Sequence, residues 1–534
     1  MIGRPLDELK QEFLRGVLWI GGGMLLLFGA ELALELYSQG FPPLGDGFAG
    51  VMNNVKLLDA LSPTARAYNN MLAMLLATIG LAIPLTANMH TPKLIDLFLR
   101  DRVNRVVLTL GAVGAAHVLW VMYLVGPNFA PVWSYRLAVL GAVVGWVVVI
   151  PYFFYVVRFL DPSTVVRRLR DETERTLARV ADHRDDPSRA QDLIHDRLFQ
   201  IGTIVVKALD RSDRGVAHEG VWAFREVMRR YGEVKPRMGD AWFRVGRSDF
   251  VGMSHYAIQM INEKRTWMEM QVLYQLVLCY RHALSTAPGE VSTIANVNRR
   301  IAVEAARRED RHVVSLAIRV FNTFLRDALM KNDSRAAFDI FYQYRQLAAE
   351  LVTNERFAKR IGRFFSTYAR VAHELGVTSV ADLAAFDLEH VVEAAFVAES
   401  GAAEPLLSTL LAMPNQASGK WLGARVRSKL ICAGFFAERG LGEPLERVKS
   451  HLAAVPADEL RAAAAHVVSI DKRAYWEVTD RAINIEWTPR ERRKLIREFA
   501  RSLVGDDASA AAEGVDSIEP ARSRPSTGKP EEGP

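Results

Sequence analysis

Apolar residues are distributed unevenly along this chain. Four long apolar stretches lie within the first 160 residues, and charged residues collect in the short segments between them. A helix needs about 20 apolar residues to cross a bilayer core. The four stretches cover residues 17–37, 71–88, 106–125 and 137–157. This pattern predicts a short N-terminus at 1–16 and a transmembrane domain of four helices at 17–160.

The pattern changes after residue 160. Between 161 and 505, apolar residues recur at helical spacing, without the sustained alternation that is typical of strands. Predicted helices follow one another in pairs, such as 310–331 with 334–353. We therefore predict an all-α cytoplasmic domain, built either as stacked helical pairs or as an irregular bundle. The final segment, 506–534, has almost no large apolar residues and is predicted to be disordered.

Lys and Arg residues indicate the orientation of the spans. The N-terminus, the 90–105 loop and the segment after the fourth span carry most of these residues in the first 170 positions, whereas the other two loops carry few. Short loops rich in Lys and Arg stay in the cytoplasm, so both termini are predicted to be cytoplasmic. The first apolar run is too long for a signal peptide, and no small-residue cleavage site follows it.

Composition and motifs narrow the classes of function. The chain has 67 Lys and Arg against 61 Asp and Glu, and its Arg clusters beside the spans are explained by topology rather than by nucleic acid. Cys279 and Cys432 are predicted to be buried, reduced thiols. His390 and Glu393, one turn apart, are interpreted as a surface pair rather than a metal site. No motif predicts a catalytic residue, a metal or another cofactor, and an enzyme is not expected.

Ionisable residues inside the predicted spans are the main candidates for function, because a charge within a bilayer is costly. His117 lies near the middle of the third span, where it is either a proton or ligand site or an imidazole hydrogen-bonded to a neighbouring helix. Glu31 and Glu35 lie one turn apart near the outer end of the first span. They either line a cation entrance or pair with Arg136, which opens the fourth span on the same side.

Small residues predict how the spans pack. Gly141 and Gly145 have the GxxxG spacing, which allows two helix backbones to approach closely. Gly111 and Gly114 occupy the third span in a similar way. The alternative interpretation is that small residues are simply common in transmembrane helices.

The loop "TPKLIDLFLRDRVNRVVLTLG" resembles a family of bacterial predicted membrane proteins, catalogued as domain of unknown function 2254. That family has a Pro-Arg pair, then Phe-Leu and Asp-Arg, before its next span. The matching residues here are Pro92, Phe98, Leu99, Asp101 and Arg102. Lys93 replaces the usual Arg, and the segment 207–220 lacks prolines that the family has. The resemblance covers about residues 60–220, and it implies a bacterial inner-membrane topology rather than an activity.

Two functions remain open at this stage. In the first, the chain is a membrane anchor whose helical cytoplasmic domain binds other proteins or itself, as an interaction or scaffold module. In the second, it is an oligomeric ion channel or transporter, and the cytoplasmic domain forms a vestibule or gate. The expected partners are the lipid bilayer and either further copies of the chain or another protein. Nucleic acid is not expected.

Overall fold

The computed structural model is helical, and it describes most but not all of the chain. The described residues are 6–39, 51–89, 95, 98–99, 101–125, 129–245, 254–415, 423–475 and 481–504; within the first two helices, side chains are described for 21–37, 59 and 61–86. These parts contain no strand, and one isolated antiparallel bridge joins Ala474 and Ile483. The chain divides into two compact units, Met1–His282 and Ala283–Pro534.

The first unit begins with four long helices. They are α1 (Leu6–Gln39), α2 (Val51–Met89), α3 (Arg102–Leu124) and α4 (Val132–Leu160). Three described segments are long and apolar enough to cross a membrane, and they are Leu61–Thr86, Arg102–Leu124 and Val132–Leu160. These segments correspond to the second, third and fourth predicted spans. Each helix is longer than the apolar stretch that predicted it.

The predicted count of four spans is corrected to three within the described residues. The stretch 17–37 does lie in α1, which is helical. However, the side chains of α1 are described only from Gly21 to Tyr37, which is shorter than the roughly 20 residues a span requires. This part also contains Glu31 and Glu35. Pro92 and the predicted disordered tail, 506–534, lie outside the described residues.

Helices α2, α3 and α4 pack against one another, and α1 packs on α3 and α4. A small apolar core joins them. Its buried residues are Leu61, Ala65, Val118, Val121 and Ala138. Many other apolar side chains of these helices are exposed, such as Leu110, Leu140 and Val147. Outward-facing apolar residues are what a lipid environment requires.

The rest of the first unit contains five further described α-helices. They are α5 (Pro162–Ala181), α6 (Pro187–Asp210), α7 (Arg214–Val234), α8 (His255–Glu263) and α9 (Trp267–Thr286). Asp161, Asp186 and Asp213 cap the N-termini of α5, α6 and α7 through backbone N–H groups. These three helices pack on one another. The boundary between the two units falls within α9.

The second unit contains ten described helices. They are α10 (Val291–Arg307), α11 (Arg311–Met330), α12 (Ser334–Glu350), α13 (Glu355–Glu374), α14 (Thr378–Val397), α15 (Ala403–Leu411), α16 (Ala424–Arg439), α17 (Gly442–Leu452), α18 (Ala457–Ser469) and α19 (Arg490–Val504). Helices α11 and α12 confirm the predicted pair at 310–331 and 334–353.

Helices α10 to α17 form two rows. The first row is α10, α12, α14 and α16, and the second is α11, α13, α15 and α17; each helix packs on the next member of its own row. Aromatic rings fill the space between neighbours. Tyr344 stacks on Phe321 with 4.7 Å between ring centroids and meets Phe365 edge-on at 5.2 Å. This arrangement is that of helical pairs stacked on one core.

Three turns between helices share the sequence Ala-x-x-Arg/Lys-x-Asp. They lie at 208–213, 305–310 and 328–333. The residues before the aspartates, Ser212, Glu309 and Asn332, have positive φ angles of 58°, 59° and 55°. Each aspartate N–H bonds to the alanine carbonyl at 2.9–3.0 Å, and each aspartate side chain caps the next helix. These bonds offset the cost of a left-handed backbone at a residue other than glycine.

Candidate functional site

A carboxylate and an imidazole meet between α1 and α3. Oε2 of Glu31 lies 2.7 Å from Nε2 of His117, and the two side chains are 12% and 10% exposed. The sequence predicted each residue as a candidate but not their contact, since they are 86 positions apart. The ring of Phe28 lies 5.2 Å from the imidazole and stacks on Trp120. Apolar rings therefore enclose one side of the pair.

The second carboxylate oxygen of Glu31 determines what this site can bind. Oε1 is buried and has no hydrogen-bond partner in the described part of the chain. A buried carboxylate oxygen without a partner is costly. A proton or a small cation would satisfy this oxygen, while His117 holds the other. The arrangement is therefore suited to binding and releasing a single positive charge.

Glu35 and Arg136 lie around one tryptophan near the start of α4. Oε1 of Glu35 accepts a hydrogen bond from the backbone N–H of Trp133 at 3.3 Å. The guanidinium of Arg136 lies 5.1 Å above the indole ring of Trp133, in a cation–π contact. The structure thus brings Glu35 and Arg136 to the same residue. It places Glu31 against His117, and not against Arg136 as the sequence analysis had considered.

Asp101 joins three helices at the start of α3. Its Oδ1 accepts hydrogen bonds from the backbone N–H groups of Val103 and Asn104 at 3.0 and 3.2 Å, and so caps α3. The hydroxyl of Tyr155, on α4, donates to Oδ1 at 2.7 Å. Nη2 of Arg168, on α5, lies 2.6 Å from Oδ2. Burial raises the pKa of Asp101, but these bonds outweigh it and hold the pKa below its usual value.

Phe98 reinforces the same junction. Its backbone carbonyl accepts a hydrogen bond from Nδ2 of Asn104 at 3.0 Å, and its ring meets Phe159 edge-on at 5.6 Å. The guanidinium of Arg168 lies 5.1 Å above Phe159. We use the name "Asp101 junction" for Phe98, Asp101, Tyr155, Phe159 and Arg168. It explains why an aromatic residue and an aspartate precede this span.

The other family-like residues of the loop lie differently. Leu99 and Arg102 are exposed, and Pro92 is outside the described residues. Of the five matching positions, the structure therefore places Phe98 and Asp101 in the junction. Within the described residues, the family-like pattern thus links α5 to the membrane-spanning helices.

Glycines in α3 and α4 make room for a tyrosine of α2. A Cβ atom on Gly114 or Gly145 would clash with the buried ring of Tyr68. A Cβ on Gly141 would meet nothing within 4 Å. The two glycines of the predicted GxxxG pair thus lie on different surfaces of α4. Gly145 packs within this chain, whereas Gly141 faces open space.

The second unit buries charges that the sequence analysis did not identify. Asp387, on α14, is fully buried. Both of its oxygens bind the guanidinium of Arg481 at 2.8 Å, and Arg345 lies 3.6 Å away. The ring of Tyr342 lies beneath both guanidinium groups, at 5.4 and 5.5 Å. This is a paired, hydrogen-bonded cluster of the kind that a buried charge requires.

Helix α16 contributes three further buried cations, Arg425, Arg427 and Lys429. Arg427 binds Glu486 through two hydrogen bonds, at 2.6 and 3.1 Å. Lys429 donates to the carbonyl of Met413 at 2.7 Å, at the end of α15. Burial, followed by the charge of Arg425, lowers the pKa of Lys429 to about 7. These cations lie within the helix packing rather than in an open site.

His390 and Glu393 both lie beside Glu389. Nδ1 of His390 lies 3.1 Å from Glu389, while Glu393 binds Arg492 at 2.6 Å. Burial, followed by repulsion from Glu389, raises the pKa of Glu393 to about 9. No group of three or more His, Cys, Asp or Glu side chains in the described residues has a metal-binding arrangement. Cys279 and Cys432 are buried free thiols, as predicted.

Long apolar helices and the buried pairs between them place this chain among helical membrane proteins. Residues 16–206 match the family described as "Predicted membrane protein (DUF2254)". This match confirms the resemblance seen in the loop before α3, extends it through α1, and ends within α6. No curated protein and no solved structure matches the chain.

Proposed function

We propose that this protein is a membrane-anchored scaffold whose second unit binds a protein partner. The observation that carries this proposal is the two-row stacking of α10 to α17. Stacked helical pairs expose a long series of similar turns and grooves, and other proteins use such surfaces for binding. The cytoplasm is the proposed location of this unit, in a bacterial inner membrane with both termini cytoplasmic, because Arg clusters flank the adjoining spans.

A cleft of about 530 Å³ lies between the turns of two successive pairs. Its floor is apolar, and its rim is polar and charged. The floor includes Val303, Val314, Leu351 and Phe357, and the rim includes Arg307, Glu309, Arg311, Glu350 and Asn354. Apolar walls with a few charged groups suit a peptide segment that places one or two side chains inside. The cleft is the proposed contact point for the partner.

Site-specific photo-crosslinking in native membranes tests this proposal. Cross-linking groups at Glu309 and at Asn354 should each capture one discrete partner, and Arg307→Glu should weaken that capture. The matched control is a cross-linking group at Glu446, which is exposed on α17. Equal capture from Glu446, or no capture from either cleft position, would count against the scaffold.

A second candidate function is an oligomeric channel or transporter for protons or cations. The Glu31–His117 pair favours it, because a buried pair with one unsatisfied oxygen can exchange a positive charge. The three spans found among the described residues are too few to enclose a pore, so several copies would have to assemble around one. The mass of the particle in nanodiscs separates the two candidates. A ring of four or more copies favours the pore, and a monomer or dimer favours the scaffold.

Flux through proteoliposomes tests the pore directly. Glu31→Gln should reduce proton or cation flux to the level of empty liposomes, alone or together with Glu35→Gln. Glu35→Gln alone is the comparison variant, because Oε1 of Glu35 accepts a hydrogen bond from a backbone N–H rather than lying against an imidazole. Wild-type protein without flux, or flux unchanged by Glu31→Gln, would argue against this candidate.

A further inference from the structure

Two neighbouring helices of the second unit share a strongly basic face. On α11, Arg311, Arg319 and Arg326 recur at helical spacing, and α13 repeats the pattern with Arg356, Arg360, Arg363 and Arg370. Residues three, four or seven apart lie on one side of a helix. Helices α11 and α13 pack against each other. The two rows of arginines therefore lie side by side.

Five of these arginines have no acidic partner among the described residues. They are Arg311, Arg319, Arg356, Arg360 and Arg363; the other two, Arg326 and Arg370, lie beside Asp327 and Glu374. Some arginines elsewhere in the second unit do have such partners, as Arg447 has Glu404 and Arg461 has Asp458. The five differ from the other unpaired arginines because they lie together on two packed helices. We call these five residues the arginine face.

The centre of the arginine face is preorganised. Nη1 of Arg360 donates to the hydroxyl of Ser315 at 2.8 Å, across the two helices. Its guanidinium also lies 5.6 Å above the ring of Phe364. Burial, followed by the positive charge of Arg319, lowers the pKa of Arg360. The cations here repel one another, and an anion between them would relieve that repulsion.

The face lacks the apolar centre of a protein interface. Met330 is a large exposed apolar residue on these two helices, but it lies at the far end of α11. The small hydroxyls of Thr323 and Thr367 lie between the arginines instead. Protein interfaces usually bury aromatic or aliphatic anchors at their centre. Guanidinium groups alone are suited to phosphate, which they bind with two hydrogen bonds each.

We propose that the arginine face binds the phosphate groups of anionic phospholipids in the membrane that holds the protein. The second unit is covalently joined to the membrane-spanning helices, and this tether raises the effective concentration of headgroups for it. Basic residues near an anionic leaflet are attracted to it over about one Debye length. The second unit would then contact the bilayer reversibly, according to its lipid composition and salt.

Fluorescence quenching on the full chain in nanodiscs tests this proposal. A fluorophore on Thr367→Cys, an exposed position on α13, reports on the face, and the native cysteines are buried and resist labelling. Nitroxide-headgroup lipid is the quencher. Quenching should be at least about twofold stronger with 30% phosphatidylglycerol than with phosphatidylcholine alone, and 0.5 M NaCl should remove the difference.

Two charge-matched variants complete the test. Arg319→Gln, Arg360→Gln and Arg363→Gln together should reduce quenching to the phosphatidylcholine level. The control removes three exposed arginines outside the face, by Arg335→Gln, Arg461→Gln and Arg497→Gln, and should leave the difference intact. Thermal melting of both variants checks that they fold.

Three results would overturn the proposal. The first is equal quenching in the two lipid mixtures, and the second is a control variant that behaves like the triple variant of the face. The third is fluorescence that responds to 10 mM inorganic phosphate but not to the anionic lipid, which would assign the face to a soluble anion.

Discussion

Both units bury ionisable side chains, but in different surroundings. In the first unit, Glu31 on α1 meets His117 on α3, and one carboxylate oxygen is left without a partner among the described residues. In the second unit, Asp387 uses both oxygens on Arg481 and has Arg345 nearby. The carboxylate of Glu31 is incompletely hydrogen-bonded, whereas both oxygens of Asp387 are bonded to a guanidinium.

The difference in hydrogen bonding indicates which site is suited to exchange a charge and which is suited to stabilise helix packing. A cluster of paired charges stabilises the packing of its helices. Removing any member lowers the free energy of unfolding, because the remaining charges stay buried without compensation. An incomplete pair can gain a proton or a cation while its neighbours stay in place. The Glu31–His117 pair is thus the better candidate for exchanging a proton or a cation with the surroundings. The Asp387 cluster is the better candidate for a structural role.

The largest expected effect comes from breaking the Asp387 cluster. Asp387→Ala leaves Arg481 and Arg345 buried without their shared carboxylate, and should lower the free energy of unfolding of the second unit by about 3–5 kcal/mol. Urea unfolding of the full chain, read by pulse proteolysis of the second unit, measures this loss. Arg370→Gln, at an exposed ion pair, should change it by less than about 0.5 kcal/mol. A similar loss of unfolding free energy in both variants would show that the buried cluster contributes no more than an exposed ion pair.

The next effect is a pH dependence from Glu393. Because its pKa is raised to about 9, the folded state holds a proton that the unfolded state releases near pH 4.5. The stability due to this group is complete below that pH and is lost as the pH rises towards 9, at up to about 1.4 kcal/mol per pH unit.

Lys429 complicates this measurement, because its lowered pKa makes stability rise with pH above about 7. The informative quantity is therefore the difference in unfolding free energy between the wild type and Glu393→Gln, measured from pH 6 to pH 9. That difference should shrink or reverse with increasing pH, since the variant keeps Lys429 but lacks the titrating carboxyl. Parallel curves would contradict the raised pKa of Glu393.

A smaller effect is expected at the Asp101 junction. Asp101→Ala removes a helix cap and the charged bond to Arg168, which together contribute roughly 2–3 kcal/mol. Asp161→Ala removes the cap of α5 and should cost about 1 kcal/mol. Thermal melting in nanodiscs compares the two variants. Equal shifts would mean that the bond to Arg168 contributes nothing beyond a cap.

The smallest effects distinguish the two glycines of α4. Gly145→Ala forces Tyr68 to move and should destabilise the membrane-spanning helices by about 1–2 kcal/mol. Gly141→Ala meets open space and should leave melting within about 0.5 kcal/mol of the wild type. Mass photometry then reports on self-association. A Gly141→Ala variant that falls apart into smaller particles would show that this glycine faces a second copy.

The apolar pattern predicted α2, α3 and α4, because a bilayer requires long apolar helices whatever lies around them. It also identified Glu31 and His117 as candidates, because ionisable residues are uncommon in an apolar run. Their contact could not be predicted, because it depends on how α1 packs on α3. The charges of α14 and α16 were missed for the opposite reason. In "ARVRSKLICAGFF", Arg and Lys are typical of a solvent-exposed face, and Glu486, the partner of Arg427, is 59 positions away from it.

Three turns between helices, in both units, share a short sequence signature. The signature Ala-x-x-Arg/Lys-x-Asp occurs at 208–213, 305–310 and 328–333, but only the turn geometry shows why those residues recur. The alanine carbonyl accepts the hydrogen bond of the aspartate N–H, and the aspartate side chain caps the next helix. A search for helix-ending motifs, rather than for whole repeats, would have found it.

The Asp101 junction links α3 to two other helices through one carboxylate. This side chain caps the first turn of α3, binds Arg168 on α5 and accepts a hydrogen bond from Tyr155 on α4. His117 lies further along α3. A rotation or tilt of α3 that began near His117 would therefore change the contacts of Asp101 with both α4 and α5.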